Sequence, residues 1–341
     1  MEDEIHLQTA IGLAKRGKGH TRPNPAVGAV IVRDGEVIGR GWHKKAGGDH
    51  AEVVAIKNAL KSDPTAGKGA TLYVTLEPCS SPGRVGACTD AIIAAGIAHV
   101  VFGSVDPNPT NRGRAKRVLA KAGIRCEQIR SRELVASCDN LIKDFRKHVT
   151  TGLPYVTVKI AMSLDGRICD DCGDARWVSS ARSRKVTGRM RECVDVIMVG
   201  AETVRQDNPS LLSHGCRNDD LIRVVVTESG KLPKNAQVFT DGKNLTLVYC
   251  SKASARNGSR KGFLRSVLKD LGRRGMMHVL CEGGLKLATA LAEEGLVDEW
   301  ITVLAPKVIG HRPISRAAVI GRVQDCIWST SCGLEDDFGI I

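Results

Sequence analysis

Gly48-Asp49-His50-Ala51-Glu52, followed by Glu77-Pro78-Cys79 and then Cys88, is the stretch on which the reading of this 341-residue chain turns. Two thiolates and one imidazole fill three corners of a tetrahedral Zn²⁺ and leave the fourth open to water. His50, Cys79 and Cys88 are therefore the expected metal ligands. The surrounding sequence fits that role. Ala51–Leu60 (AEVVAIKNAL) has helical spacing, Thr71–Leu76 (TLYVTL) reads as a buried strand, and Thr89–Ala95 reads as the start of a helix. His50 and Cys88 then stand at the mouths of two helices, where the positive dipole ends favour thiolates and a bound hydroxide. A bare His-x-Glu, or a cysteine pair nine positions apart, specifies nothing. The proline before Cys79 and the strand–helix setting make the combination specific.

A metal held in this way lowers the pKa of its water towards neutrality. Glu52 is not a ligand; it is placed to carry protons between that water, a ring nitrogen and a departing amine. These are the parts of a zinc deaminase site, with Glu52 as the expected catalytic residue. The plainer alternative is a buried histidine with two inert cysteines.

Towards the N-terminus, Glu2–Gly17 reads as a helix carrying Ile5, Leu7, Ile11, Leu13 and Ala14. Thr21–Gly28 (TRPNPAVG) is a rigid turn feeding a strand over Ala29–Val32. Asp34-Gly35 signals a hairpin, with Glu36–Trp42 as the return strand. Pro23 and Pro25 hold Asn24 stiffly between them, and His43 ends the second strand just before the zinc helix. Both are expected substrate contacts. Beyond Cys88, Ala98–Gly103 is a strand, Asp106–Pro109 a loop, Val118–Gly123 the close of a helix and Ile124–Gln128 a further strand. Ser131–His148 reads as one helix. Alternation of this kind indicates a three-layer α/β domain. Thr150–Pro154 (TTGLP) breaks the pattern, which puts the domain boundary between 1–149 and 150–341.

The length favours two domains, and 42% hydrophobic with 26% charged residues describes an ordinary soluble chain. No run of 18 apolar residues is present, so no membrane span is expected. The acidic start, Met-Glu-Asp-Glu, lacks the features of a signal peptide. Twelve irregularly spaced cysteines then point to reduced thiols and a cytoplasmic protein. Cys169-x-x-Cys172 has no second pair beside it and is read as incidental. A net charge of +13 invites a nucleic-acid partner, with basic clusters at Arg112–Arg117 and Arg182–Arg191. Aromatics at 4%, however, are too few for single-strand stacking platforms. A phosphorylated small substrate and a phosphorylated cofactor account for local basic pockets without any nucleic acid.

In the second half, Tyr155–Met162 reads as a strand ending in a turn over Ser163–Gly166, and Val194–Gly200 as an apolar strand turning at Ala201–Arg205 towards a helix. His278–Cys281 is a strand that runs into Glu282-Gly283-Gly284 and a helix over Leu285–Glu294. Strand, paired glycines and helix bring backbone N–H groups onto a phosphate at a helix N-terminus, although such a pair is more often simply a tight turn. G-x-G-x-x-G is missing, so a Rossmann domain is not indicated.

TRPNPAVGAVIV, GWHKKAGGDHAEV and TLEPCSSPGR with ACTDAII in the first half, and PYVTVKIAMSLDGRI, VIMVGAETVRQDNPSLL, EGGLKLATALAEEGLVDE and LAPKVIG in the second, resemble the bifunctional riboflavin-biosynthesis deaminase/reductase family in family order over nearly the whole chain. The resemblance implies a cytidine-deaminase-like α/β/α domain followed by a dihydrofolate-reductase-like α/β domain. It implies zinc-dependent hydrolysis of the exocyclic amine of a diamino-ribosylamino-pyrimidinone 5′-phosphate, then reduction of the ribosyl group to ribityl by NADPH. By the same resemblance Arg84, Lys159, Arg191 and Glu282 meet the substrate. Ala161, Trp177, Thr203, Asp207, Gly283 and Gly284 line the NADPH or the shared cleft, and the protein is a homodimer.

Several positions depart from the family pattern. Ser81 stands where a histidine is usual, Pro82 and Val85-Gly86-Ala87 replace the usual loop residues, Ala175 replaces a serine and His214 an arginine, and Thr227-Glu228 replace Asp-Ser. None is a zinc ligand, so they bear on substrate grip. They leave a diverged paralogue, with one half weakened or acting on a related pyrimidine nucleotide, as the second reading. A nucleic-acid base deaminase is a distant third, because its motif has Pro-Cys-x-x-Cys whereas eight residues separate Cys79 from Cys88 here.

Overall fold

Each half of the chain builds its own sheet, and the division falls between Gly152 and Leu153. The computed structural model describes residues 2–61, 63–81, 86–169, 180–213, 221–251, 262–305, 309 and 339–340. The expectations attached to Pro82, Arg84, Val85, Cys172, Ala175, Trp177 and His214 lie outside these residues.

The first unit runs α1 (Glu2–Ala14, continued by a 3₁₀ turn over Lys15–Gly17), β1 (Gly28–Arg33), β2 (Glu36–Trp42), α2 (Ala51–Leu60), β3 (Thr71–Leu76), α3 (Cys88–Ala94), β4 (His99–Ser104), α4 (Arg114–Lys121), β5 (Arg125–Gln128), α5 (Arg132–Leu141) and α6 (Lys143–Thr151). Its sheet has the order β2-β1-β3-β4-β5. β1 pairs antiparallel with β2 and β3, and β3, β4 and β5 are parallel. Two glycines define the layers. A Cβ on Gly28 would lie 2.1 Å from the Ala10 carbonyl oxygen of α1. One on Gly41, whose cross-strand partner is Ala29, would lie 2.3 Å from the Ala51 carbonyl oxygen of α2. Neighbouring positions on β1 face opposite ways, so α1 and α2 cover opposite faces, each pressed onto bare backbone.

The helix expected over 131–148 is two helices. Ile142 leaves the helical region (φ −113°, ψ 17°), its N–H reaching only to the Asp139 carbonyl. Leu141 and Ile142 are both buried, so the apolar spacing runs on through the break and gives no sign of it. α6 then continues to Thr151, past the expected break at Thr150.

The second unit runs β6 (Tyr155–Ser163), α7 (Ala181–Glu192), β7 (Val196–Gly200), α8 (Ala201–Asp207), β8 (Ile222–Thr227), α9 (Gln237–Thr240), β9 (Thr246–Cys250), α10 (Phe263–Arg273), β10 (His278–Cys281), α11 (Leu285–Glu293), β11 (Glu299–Ala305) and β12 (Gly339–Ile340). Its sheet has the order β12-β11-β6-β10-β7-β8-β9, parallel apart from β12. One face packs Val156, Val158, Met198 and Val279 against Leu268 and Leu271 of α10 and Leu291 of α11. The other packs Ile197, Val199 and Leu280 against Val204, Leu211, Leu221 and Val238. Such strands, covered on both faces, read as continuous apolar runs. The sequence reading puts Arg191 on a helix and Thr227-Glu228 after a strand without bounding either, and places no element at β9, α10 or β11; runs like IRVVVT give no alternation to follow. Among the described residues no helix is long and apolar enough to cross a membrane.

Candidate functional site

In the first unit the site lies where β3 ends and two helices begin. Gly41 lets α2 sit directly on β2, and this brings the helix N-terminus, with His50 as its N-cap, to the sheet edge. Cys79 follows β3, and Cys88 is the first residue of α3. The Thr89 N–H donates to the Cys79 carbonyl at 3.2 Å, tying the second helix to the strand end. The candidate ligand atoms of His50, Cys79 and Cys88 lie within 4.8 Å of one another. His50 Nδ1 is 3.1 Å from Cys88 Sγ and 3.5 Å from Cys79 Sγ. Tetrahedral Zn²⁺ with ordinary bond lengths needs N···S separations of about 3.6 Å, so the three side chains fit that ion with little movement. Two sulfurs and one imidazole are also a donor set that Zn²⁺ takes; the hydrogen bond between the two thiols holds Cys79 below its ordinary value, with burial opposing, while the same contact and burial push Cys88 up. Glu52, in the first turn of α2, is buried, and burial followed by the negative Cys79 pushes its carboxyl up. A carboxyl raised in this way takes and returns protons more readily near neutral pH.

Asn24 and His43 join this cluster. His43 is buried; its Nδ1 faces the Asp49 carbonyl at 3.0 Å and its Nε2 faces Asn24 Nδ2 at 3.1 Å. Its ring stands edge-on to His50, with centroids 5.3 Å apart. Burial lowers the pKa of His43, the Asp49 carbonyl opposes this, and His50 adds to the lowering. Neutral His43 thus carries its proton on Nδ1 and accepts from Asn24.

Sequence reasoning passed over Glu77, which carries the far wall. Its buried carboxylate accepts from the N–H groups of Asp106 (3.2 Å), Gly113 (3.0 Å) and Ala115 (3.3 Å) and so ties the loop between β4 and α4 to the strand that leads to Cys79. Ser81 Oγ donates to Asn111 Oδ1 at 2.9 Å on the same loop. Asp106 is pushed up to about 6 by burial, against hydrogen bonds from Asn108 and Asn111. Only the Glu-Pro-Cys sequence marked Glu77, and it gives no hint of the distant backbone groups that the side chain serves.

In the second unit Lys159, Arg191 and Glu282 converge with Ala161, Thr203, Asp207, Gly283 and Gly284 on a cavity of about 1370 Å³. Arg191 and Glu282 form a two-pronged pair, Nε to Oε1 at 2.7 Å and Nη2 to Oε2 at 3.0 Å. Burial lowers the pKa of Lys159, Glu282 opposes and Arg191 reinforces the lowering. Gly284 is the N-cap of α11, and a Cβ there would meet nothing within 4 Å. The helix mouth therefore opens onto space, as a phosphate cradle requires. The volume exceeds the roughly 300–1,000 Å³ of pockets for single small ligands and suits a dinucleotide with a second molecule. Thr227, Glu228, Ser229 and Ser251 also line it; the first two are the positions where the chain departs from the family's Asp-Ser, whereas Ser229 and Ser251 carried no signal in the sequence.

Taken together, the two units define an enzyme that joins a zinc-dependent deaminase to a reductase. Residues 1–104 match the cytidine and deoxycytidylate deaminase zinc-binding region, and residues 154–320 match the RibD C-terminal domain. The riboflavin biosynthesis protein RibD of Aquifex aeolicus is 37% identical over 325 residues, 91% of this chain and 88% of that protein. The Escherichia coli protein is 36% identical over 335 residues, 91% and 89% of the two chains. Among solved structures, the diaminohydroxyphosphoribosylaminopyrimidine deaminase/5-amino-6-(5-phosphoribosylamino)uracil reductase of Thermotoga maritima superposes with a TM-score of 0.82 at 32% identity, covering 94% of this chain and 92% of its own. An Acinetobacter baumannii RibD gives 0.80 at 32%, covering 96% and 94%. The chain belongs to the RibD family, the bifunctional deaminase/reductases of riboflavin biosynthesis. Its fold is cytidine-deaminase-like in the first half and dihydrofolate-reductase-like in the second.

Proposed function

We propose that the first unit hydrolyses the exocyclic amine of a diamino-ribosylamino-pyrimidinone 5′-phosphate, releasing ammonia, and that the second reduces the ribosyl group of the product to ribityl with NADPH. The observation that carries this reading is a buried Glu52, its carboxyl pushed up by that burial, beside three converging metal donors. His50, Cys79 and Cys88 hold the metal, which when bound supplies a water acidic enough to attack near neutral pH. Glu52 takes one proton from the attacking water and gives it to the ring nitrogen, then takes the second from the hydroxyl now on the ring carbon and gives it to the leaving amine, so that both water protons are accounted for. Asn24, oriented by His43, and Arg84 grip the substrate. In the second unit the nicotinamide cofactor supplies the hydride. Gly283, Gly284, Ala161, Trp177, Thr203 and Asp207 seat that cofactor, while Lys159, Arg191 and Glu282 orient the pyrimidine and its open-chain ribosyl group. The Arg191–Glu282 pair supports this role, because a fork already engaged on one side presents its remaining edge in a fixed direction. We place the protein in the cytoplasm as a homodimer.

The test is a coupled assay on the zinc-loaded protein with the diamino-pyrimidinone ribosyl phosphate, following ammonia and NADPH separately. Equal amounts of ammonia released and NADPH oxidised are expected. Ammonia without oxidation overturns the reductase assignment and favours a paralogue with one half weakened; neither signal overturns the substrate.

A further inference from the structure

Arg191 makes a third hydrogen bond besides its two to Glu282: Nη1 donates to the Leu212 carbonyl at 2.9 Å. That carbonyl belongs to the loop Asn208-Pro209-Ser210-Leu211-Leu212, which leaves α8 and is fixed at three successive points. Asn208, at φ 41°, accepts from the Gln237 N–H through Oδ1 at 2.8 Å. The Ser210 carbonyl accepts from Arg223 Nη1 at 3.1 Å. Leu211 holds φ 54°, left-handed backbone that a side-chain-bearing residue rarely adopts unless its surroundings impose it. Its side chain is 2% exposed, packed in the core with Leu221, Val225 and Val238.

Arg223 is itself only 2% exposed. It forks onto Asp241 at 2.6 and 3.0 Å, and its Nη2 also donates to the Asn244 carbonyl. For stability alone, an apolar side chain of similar volume often serves as well as a buried ion pair. An apolar side chain cannot hold the Ser210 carbonyl in place, two residues before the one that meets Arg191.

We propose that Arg223 is a positioning residue for the reductase: clamped by Asp241, it fixes the 208–212 loop so that the Leu212 carbonyl orients Arg191, and through Arg191 it sets the grip on the pyrimidine substrate. This rests on the reading that Arg191 contacts that substrate. Neither Arg223 nor Asp241 borders the cavity, so the effect travels through the loop.

The experiment uses the full-length, zinc-loaded protein and the variants Arg223→Lys, Asp241→Asn, Arg191→Lys and the double variant Arg191→Lys/Arg223→Lys. The lysine keeps the charge but cannot bridge Asp241 and two carbonyls at once. For each, KM for the deaminated pyrimidine, KM for NADPH, kcat and ammonia release are measured. Arg223→Lys should raise the pyrimidine KM on the order of tenfold, the loss of one well-oriented charge-assisted contact, while NADPH KM and ammonia release stay unchanged. In the Arg191→Lys background the same change should add little, because the two act through one contact. Should Arg223→Lys fail to fold, Asp241→Asn, which keeps the shape of the clamp, carries the test. A lower kcat with unchanged pyrimidine KM in both clamp variants, or KM effects that multiply in the double variant, would reduce Arg223 to a structural residue and overturn the proposal. An unchanged pyrimidine KM in Arg191→Lys would instead overturn the site reading beneath it.

Discussion

Glu52 shows what a single position in the site must do. Its carboxyl is buried, is pushed up by that burial and by the negative Cys79, and sits within two residues of His50. Glu52→Gln removes the exchangeable proton while nearly preserving shape, and the three ligand side chains are untouched. Ammonia release should fall by roughly 10²–10⁴-fold, the usual worth of a positioned general acid–base. Zinc content by metal analysis should match that of the wild type, and reduction of supplied deaminated pyrimidine should be unchanged. A variant that deaminates at the wild-type rate would remove Glu52 from the mechanism. At this scale the ligands and the glutamate were legible because their identity and spacing carry the chemistry. Glu77 was not, since its three N–H partners come from positions 106–115 and meet it only through the fold.

At the scale of elements, two glycines make opposite predictions. Gly41 has no room: a Cβ would press on Ala51 O at 2.3 Å and Ala55 N at 2.5 Å, both backbone. Gly41→Ala should therefore push α2 off β2, at a cost of about 1–3 kcal/mol for an overpacked contact. Because α2 carries His50 and Glu52, zinc should also be lost more readily to a competing chelator; unchanged zinc retention would mean that the helix does not move. Gly284 has room, since a Cβ at that position would have nothing within 4 Å. Gly284→Val should leave folding intact yet fill the mouth of α11, raising the NADPH KM without altering ammonia release. Steady-state kinetics in varied NADPH would show this.

For the whole molecule, the residues of the two sites belong to different units. Chelation should abolish ammonia release and leave NADPH oxidation on supplied deaminated pyrimidine intact. A parallel loss of both would mean that the reductase needs the metal. Acid should act on the second unit through its buried clamp. The hydrogen bonds from Arg223 hold the Asp241 carboxyl below its ordinary value, against a smaller opposing effect of burial. A depressed native pKa stabilises fully above the unfolded value of about 3.9 and is lost as pH falls through the native one. The advantage of wild type over Asp241→Asn in hydrogen-exchange protection at Val224 and Val225 should thus be constant above about pH 5 and shrink below about pH 4. An advantage that persists undiminished at lower pH would assign it to something other than this carboxylate.

Legible in the residues alone were the candidate metal ligands, Glu52 as the proposed proton carrier, the strand–glycine–helix turn at 278–285 and the division into two α/β halves. Those features are local: they depend on residue type, spacing and periodicity. The break at Ile142, the extents and pairing of β8, β9 and β11, the brace at Glu77 and the Arg223–Asp241 clamp behind Arg191 came from tertiary contacts. Each of these depends on partners far apart in sequence, and a buried charge or a continuous apolar run does not say which distant group will meet it.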